Sequence, residues 1–159
     1  MIRSVKIAED RIGVLIGPAG RTKREIEKKT KTKIIVGDEI TINGDALDVM
    51  GAENIIKAIG RGFSPVNAFD LLDEENTLYI IILPKNPAEL KRVRSRLIGQ
   101  NGKCRRNIEM ITKTKISIYG KTASIIGNYE NVELAESGIK KLITGIPHKN
   151  VYAYLEERK

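Results

Sequence analysis

Shifting the sequence against itself by 82 positions lays Ile16–Ile34 onto Ile98–Ile116, with eleven of nineteen residues identical. After one inserted residue the match runs on through Gly44/Gly127, Val49/Val132, Ala52/Ala135, Ile56/Ile139 and Gly62/Gly145, and it still holds at Asn67/Asn150 and Leu72/Leu155. Identical local signals favour identical local structure, so the repeat predicts two similar units of about 80 residues, 1–75 and 76–159.

Each unit reads in the same order. Ser4–Ile7 and Thr77–Leu83 are β-rich openings, the second an unbroken apolar run of the kind expected for a buried strand. A short helix then leads into Gly-x-x-Gly, and a second helix starts at Arg21 or Lys103. Minimal hairpins follow: Lys33–Val36 with Glu39–Asn43 around Gly37-Asp38, and Lys115–Tyr119 with Thr122–Ile126 around Gly120-Lys121. Thr30, Thr32, Thr112 and Thr114 flank the strand entries, where β-branching accounts for them. A third helix carries Val49, Ala52, Ile56 and Ile59 on one face, and Val132, Ala135, Ile139 and Leu142 repeat the pattern. The order is β-α-α-β-β-α.

A trailing helix is expected after each unit. Ser64-Pro65 is an N-cap followed by a proline at the first helical position, with Val66, Phe69 and Leu72 spaced to pack. Pro147 opens the second such segment, with Val151, Tyr152 and Leu155. The second unit also has fifteen residues from Pro84 to Ile98 where the first has nine, Ala8 to Ile16. That insertion starts with the cap-like Asn86-Pro87-Ala88-Glu89 and supplies Lys91, Arg92, Arg94 and Arg96.

Charge divides the halves. Of the net +8, residues 1–75 hold 12 basic against 13 acidic residues, while residues 76–159 hold 16 against 7. Lys85–Lys121 alone sets eleven cations against Glu89 and Glu109, so a polyanion is drawn there first; a solvated face or a membrane surface is the alternative reading. Aromatics are 4% with no Trp, so aliphatics must build both the cores and any base-contacting groove. The single Cys104 and single His148 leave no Cys/His metal site, and no cofactor is expected. Cys104 reads as a packing residue; His148 reads as capping or packing the last helix, or as contacting RNA or a partner. The run Asp70, Asp73, Glu74, Glu75 reads as a solvated helix end rather than a metal site. Charges interrupt every apolar run near Met1, so neither a signal segment nor a membrane span is expected and the chain reads as cytoplasmic.

Ile-Gly-x-x-Gly between two helices, followed by Ile-Glu and a strand, resembles the type I KH domain, and here it occurs twice. The stretches Arg96–Glu109, Tyr119–Thr122, Ile126-Gly127 and Gly145–Glu156 more narrowly resemble the tandem-KH ribosome-assembly factors of archaea and eukaryotes. The resemblance spans the chain. It implies an α+β fold of two KH domains, each a three-stranded antiparallel sheet packed on one side by helices. It implies binding of the single-stranded 3′ region of small-subunit rRNA through the second domain. The partners it implies are the endonuclease that matures that 3′ end and the alpha subunit of initiation factor two.

The residues supply a physical basis for this. Gly99 and Gly102 let a sugar-phosphate backbone approach, and the loop amides and following helix N-terminus present donors to phosphate. A KH loop clamps about four nucleotides this way. Ile98 and Ile108 are candidates to line the adjoining groove, with Ile116 and Ile118 on the neighbouring strand, only one of them expected on the groove side; core packing is the other role open to all four, and the two roles are compatible. Lys115 starts that strand. Arg96, Lys103, Arg105 and Arg106 cluster as cations around the loop, and Gln100 and Asn101 add hydrogen-bonding side chains. In the first loop, between Gly17 and Gly20, Pro18 lacks an amide hydrogen and Ala19 lacks a polar side chain. Arg21, Lys23 and Arg24 leave it some affinity, so it is expected to be the weaker RNA site.

RNA binding has two rivals, a phosphate-handling enzyme, whether P-loop protein or nuclease, and a protein-interaction scaffold. A P-loop would need an earlier glycine where Leu15 and Leu97 stand, and a Ser or Thr where the second copy has Cys104. A nuclease would need carboxylates or a histidine on a basic face that is nearly free of acid, so no catalysis is expected. A protein-interaction scaffold with degenerate RNA binding fits the uncharged first loop.

Overall fold

The computed structural model describes residues 1–159, which divide into two compact units, Met1–Glu74 and Glu75–Lys159. The first unit runs β1 (Ile2–Val5), α1 (Glu9–Ile16), α2 (Arg21–Thr30), β2 (Lys33–Val36), β3 (Ile40–Asn43), α3 (Ala46–Gly60) and a short α4 (Pro65–Ala68) that continues as a 3-10 turn. The second runs β4 (Asn76–Ile82), α5 (Pro87–Ile98), α6 (Lys103–Thr112), β5 (Lys115–Tyr119), β6 (Thr122–Asn128), α7 (Tyr129–Thr144) and α8 (His148–Arg158). Each unit holds a three-stranded antiparallel sheet with the last strand in the middle, β1-β3-β2 and β4-β6-β5. This is the expected α+β architecture of two KH-type units. No helix is long and apolar enough to cross a membrane.

The helical faces read from the sequence form the cores. Val49, Ala52, Ile56 and Ile59 are fully buried in the first unit, and Ala135, Ile139 and Leu142 are buried beside Ile81, Ile108, Ile116 and Ile125 in the second. Two tethers repeat in both units. Glu27 Oε2 accepts from the Ile34 amide and Glu109 Oε2 from the Ile116 amide, each at 2.8 Å. The Ile-Glu pair is therefore half core and half clasp, fastening the second helix to the free side of an edge strand. The Thr-Lys-Thr-Lys string is a second clasp. Thr30 and Thr112 are buried and bond back to the Ile26 and Ile108 carbonyls, then meet Thr32 and Thr114 at 2.8 Å around left-handed Lys31 and Lys113. β-Branching alone does not explain these threonines; their hydroxyls close the helix end.

The structure corrects several expectations. Thr77–Leu83 does not form a strand buried on both sides: β4 pairs only with β6, so Ile81 faces the core while Ile80 and Ile82, on the other face, are exposed. The first hairpin uses three loop residues, because Val36 pairs with Ile40 and Glu39 lies in the turn; the second keeps its two-residue turn. In the first trailing segment Ser64 does cap, accepting from the Asn67 amide, but the packing residues are Phe63, Ala68 and Leu71. Val66 and Leu72 are exposed because a single helical turn followed by a 3-10 turn shifts the buried face. The second trailing helix packs as expected: Val151 and Leu155 are fully buried, and Leu155 fits against Gly138 of α7. Burying two such side chains contributes roughly 1.5–3 kcal/mol each.

Candidate nucleic-acid interface

Both Gly-x-x-Gly loops have one backbone. Gly17 and Gly99 sit at φ 72° and 74° with ψ 175°, Ala19 and Asn101 at φ 53° and 54°, and Gly20 and Gly102 both at φ 75°. The first conformation is essentially confined to glycine, and an added Cβ on Gly99 would lie 2.7 Å from both the Cys104 amide nitrogen and its Cβ. Because the geometry matches, any difference between the loops is chemical. Asn101 tolerates the left-handed region that strains Ala19, Gln100 has the amide hydrogen that Pro18 lacks, and both Gln100 and Asn101 are exposed. No side chain caps the N-terminus of α2 or α6, which leaves the helix ends open toward the loops.

The expected cations fall into three groups. Lys103 and Lys115 are exposed, and Arg106 lies exposed along the loop, donating to the Asn101 carbonyl at 2.6 Å. Arg24 holds the matching place beside Gly20, and Arg21 is exposed at the start of α2. Arg105 and Lys23 are half-buried in pairs with Glu109, at 2.7 Å, and Glu27, at 3.2 Å, so part of their charge is already spent on the strand clasp.

Arg96 is a correction. Its guanidinium donates to the carbonyls of Leu142, at 3.0 Å, and Ile146, at 2.6 Å, and so closes the C-terminal end of α7 instead of standing free for phosphate. Arg11 does the same in the first unit, donating to Ile59 and Phe63 at 2.7 Å. The two arginines occupy different repeat positions, three residues apart and so on the same helix face, and they serve the same pair of carbonyls. Arg96→Ala is expected to cost the second unit about 2–3 kcal/mol, since bonds to a charged donor contribute roughly 1.5–3 kcal/mol each and two carbonyls regain water. Chemical denaturation with unchanged RNA salt dependence checks this.

The isoleucines are also redistributed. Ile108 and Ile116 are buried in the core, and Ile118 packs partly against it. Ile116 and Ile118, two residues apart, share that helix-covered face, contrary to the expectation that only one would point to the groove. β5 is an edge strand, so it also presents backbone. With the outward Ile116 amide held by Glu109, Ile118 is the next residue whose backbone groups face outward from β6. A largely apolar groove lies along α5, where Pro87, Leu90, Lys91, Arg94, Ser95 and Ile98 surround about 400 Å³. The insertion thus lines this groove as well as adding charge, and Asn86 caps its helix by accepting from Ala88 and Glu89 amides.

Sequence reasoning missed one part of this surface. α8 brings Tyr152 against α6 and the core; burial, then the influence of Cys104, push the phenol up to about 12. Burial also raises the Cys104 thiol, in keeping with a packing role. His148 bonds the Arg96 carbonyl at 2.8 Å. Two signals hinted that this helix belongs to the loop's surroundings: the repeat's extension to Leu155, and His148, read as a cap, a packing residue or a contact to RNA or a partner.

Comparison with known proteins places this geometry in a family. A model described as a eukaryotic-type KH domain (KH domain type I) matches residues 79–159, and a KH domain model matches residues 2–58. A KH domain-containing protein of Methanocaldococcus jannaschii is 37% identical over 99% of this chain and 74% of its own length. RNA-binding protein pno1 of Dictyostelium discoideum is 30% identical over 84% of this chain but only 58% of its own length, so the chain spans little more than half of that relative. Among solved structures, Dim2p from Pyrococcus horikoshii OT3 is 48% identical, with a TM-score of 0.94, 100% of this chain covered and 99% of the other. The same organism's a/eIF2alpha-aDim2p-rRNA complex contains a chain 49% identical, with a TM-score of 0.93 and coverages of 99% and 93%. The chain belongs to the tandem type I KH-domain family of which these pno1 and Dim2p proteins are members.

Proposed function

We propose that the chain binds the unpaired 3′ region of small-subunit rRNA through its second unit during ribosome assembly, as a binding protein with no chemical step of its own. The observation that carries this reading is the second loop: exposed Gln100 and Asn101, flanked by Lys103 and Arg106, at the uncapped start of α6 and the end of the α5 groove. The related pno1 proteins carry the names RNA-binding and pre-rRNA-processing protein, and a structural relative was solved with rRNA and a/eIF2alpha. The alpha subunit of initiation factor two is accordingly the proposed protein partner, with the 3′-end endonuclease a second one implied by the resemblance. Crosslinking in cell extract tests this: RNA joined to peptides from Ile98–Arg106 should map to the 3′ end of small-subunit rRNA. Crosslinks scattered over unrelated RNA, or confined to the first unit, contradict it.

One observation favours a protein contact for the first unit. Leu47 and Met50 of α3 are exposed where the repeat carries Glu130 and Glu133, which makes this helix face apolar only in the unit with the poorer loop.

A further inference from the structure

Between the second loop and α8 lies a hollow of about 200 Å³ lined by Gly99, Gln100, Lys103, Cys104, His148 and Tyr152. It shares no lining residue with the α5 groove, and one wall comes from a helix outside the β-α-α-β-β-α unit. The His148 and Tyr152 rings stand 6.3 Å apart between centroids, tilted by 36°. Both rings are held before any ligand arrives. His148 Nε2 donates to the Arg96 carbonyl, which only accepts, and Tyr152 is partly buried against the core of the unit. Arg96 fixes the start of α8 from the other side through the Ile146 carbonyl. Rings already immobilised lose little entropy when something stacks on them. The same hollow is lined by exposed Gln100 and Lys103, whose amide and ammonium are suited to a sugar or phosphate. The hollow is smaller than the roughly 300–1,000 Å³ of sites for drug-sized ligands, and suits a single base. The first unit differs here: Pro65 and Phe69 stand at the matching positions, and the Phe69 ring is covered by the Lys29 ammonium at 4.5 Å.

We propose that this hollow is a subsite for one unpaired ribonucleotide adjoining those held at the loop, with its base against His148 and Tyr152 and its phosphate at Lys103 and Gln100. The inference rests on the reading that the second loop holds RNA. It makes α8 part of the recognition surface and extends the bound segment beyond the roughly four nucleotides a KH loop clamps.

The test titrates the full chain with two RNA oligonucleotides, each a four-nucleotide core flanked by two nucleotides on either side; in one the flanks carry bases and in the other they are abasic. Phosphates are equal, so the difference reports flanking bases alone. The wild type should bind the base-bearing RNA about 5- to 150-fold more tightly, the range that stacking one base provides. His148→Ala should lose most of that preference while binding the abasic RNA as wild type does. His148→Phe, which keeps a ring without the Arg96 bond, should retain it. Equal weakening of both RNAs by His148→Ala would mean that His148 only positions α8, and an unchanged preference would mean that the hollow holds no base; either overturns the subsite. In both cases wild-type binding that survives leaves the loop assignment standing, whereas failure of the wild type to bind either RNA overturns both.

Discussion

Replacing Gln100 and Asn101 together by Asp is expected to abolish most RNA binding by the intact chain, while the same change at Pro18 and Ala19 costs far less. The two loops share one backbone, so both substitutions meet the same geometry. In the second loop two carboxylates would stand where phosphate lies, opposing Lys103 and Arg106 and removing hydrogen bonds to a charged group worth roughly 1.5–3 kcal/mol each, which together amount to about 100-fold or more in affinity. The first loop has fewer donors to lose and lies in a half of the chain with no excess positive charge. Both pairs of side chains are exposed, so circular dichroism should show folded protein in each case. Titration against a single-stranded rRNA 3′-end oligonucleotide decides the matter. Equal losses contradict the asymmetry, and a greater loss from the first loop reverses the assignment.

The two glycines of the second loop are expected to fail differently. Gly99→Ala places a side chain in a backbone region essentially closed to it and drives a Cβ to 2.7 Å from the Cys104 backbone nitrogen, which cannot swing away. The expected loss is about 3 kcal/mol or more, close to the upper end for one strained residue, or roughly 12 °C or more in the melting of a unit this size. Gly102→Ala enters the left-handed helical region instead, costing about 1–2 kcal/mol, and its Cβ meets only the mobile end of Arg106 at 2.8 Å. It should melt closer to wild type yet bind RNA more weakly, because Arg106 is displaced from the loop. If Gly99→Ala proves the milder change in stability, the division of labour is wrong.

Topology was legible because the repeat doubled every local signal: the loop, the Ile-Glu pair, the hairpin glycines and the helical apolar faces each appeared twice. Less was legible where the outcome depends on which backbone group a side chain meets. Nothing in the spacing of Arg96 reveals that two carbonyls at the end of α7 lie within its reach, and nothing marks Arg11 as its functional twin, since the two stand at different repeat positions. Ile108 and Ile116 were readable as core, groove or both from sequence, and only the packing of α6 and β5 shows that both are buried. The first trailing segment misled because Val66, Phe69 and Leu72 suit a continuous helix, whereas the chain tightens into a 3-10 turn after Ala68. The hollow beside α8 joins residues 44 apart or more along the chain, Cys104 with His148 and Gly99 with Tyr152, and no local pattern announces it.

The affinity of the intact chain for a single-stranded 3′-end rRNA oligonucleotide, measured across a range of salt concentrations, tests the central claim most directly. If the second loop and its cations grip three or four phosphates, the logarithm of the binding constant should fall linearly with the logarithm of salt, with a slope of about −2 to −3. The Gln100 and Asn101 to Asp variant should then show both weak binding and a shallower slope. Affinity that is insensitive to salt, or retained in full by that variant, would contradict RNA binding at this loop.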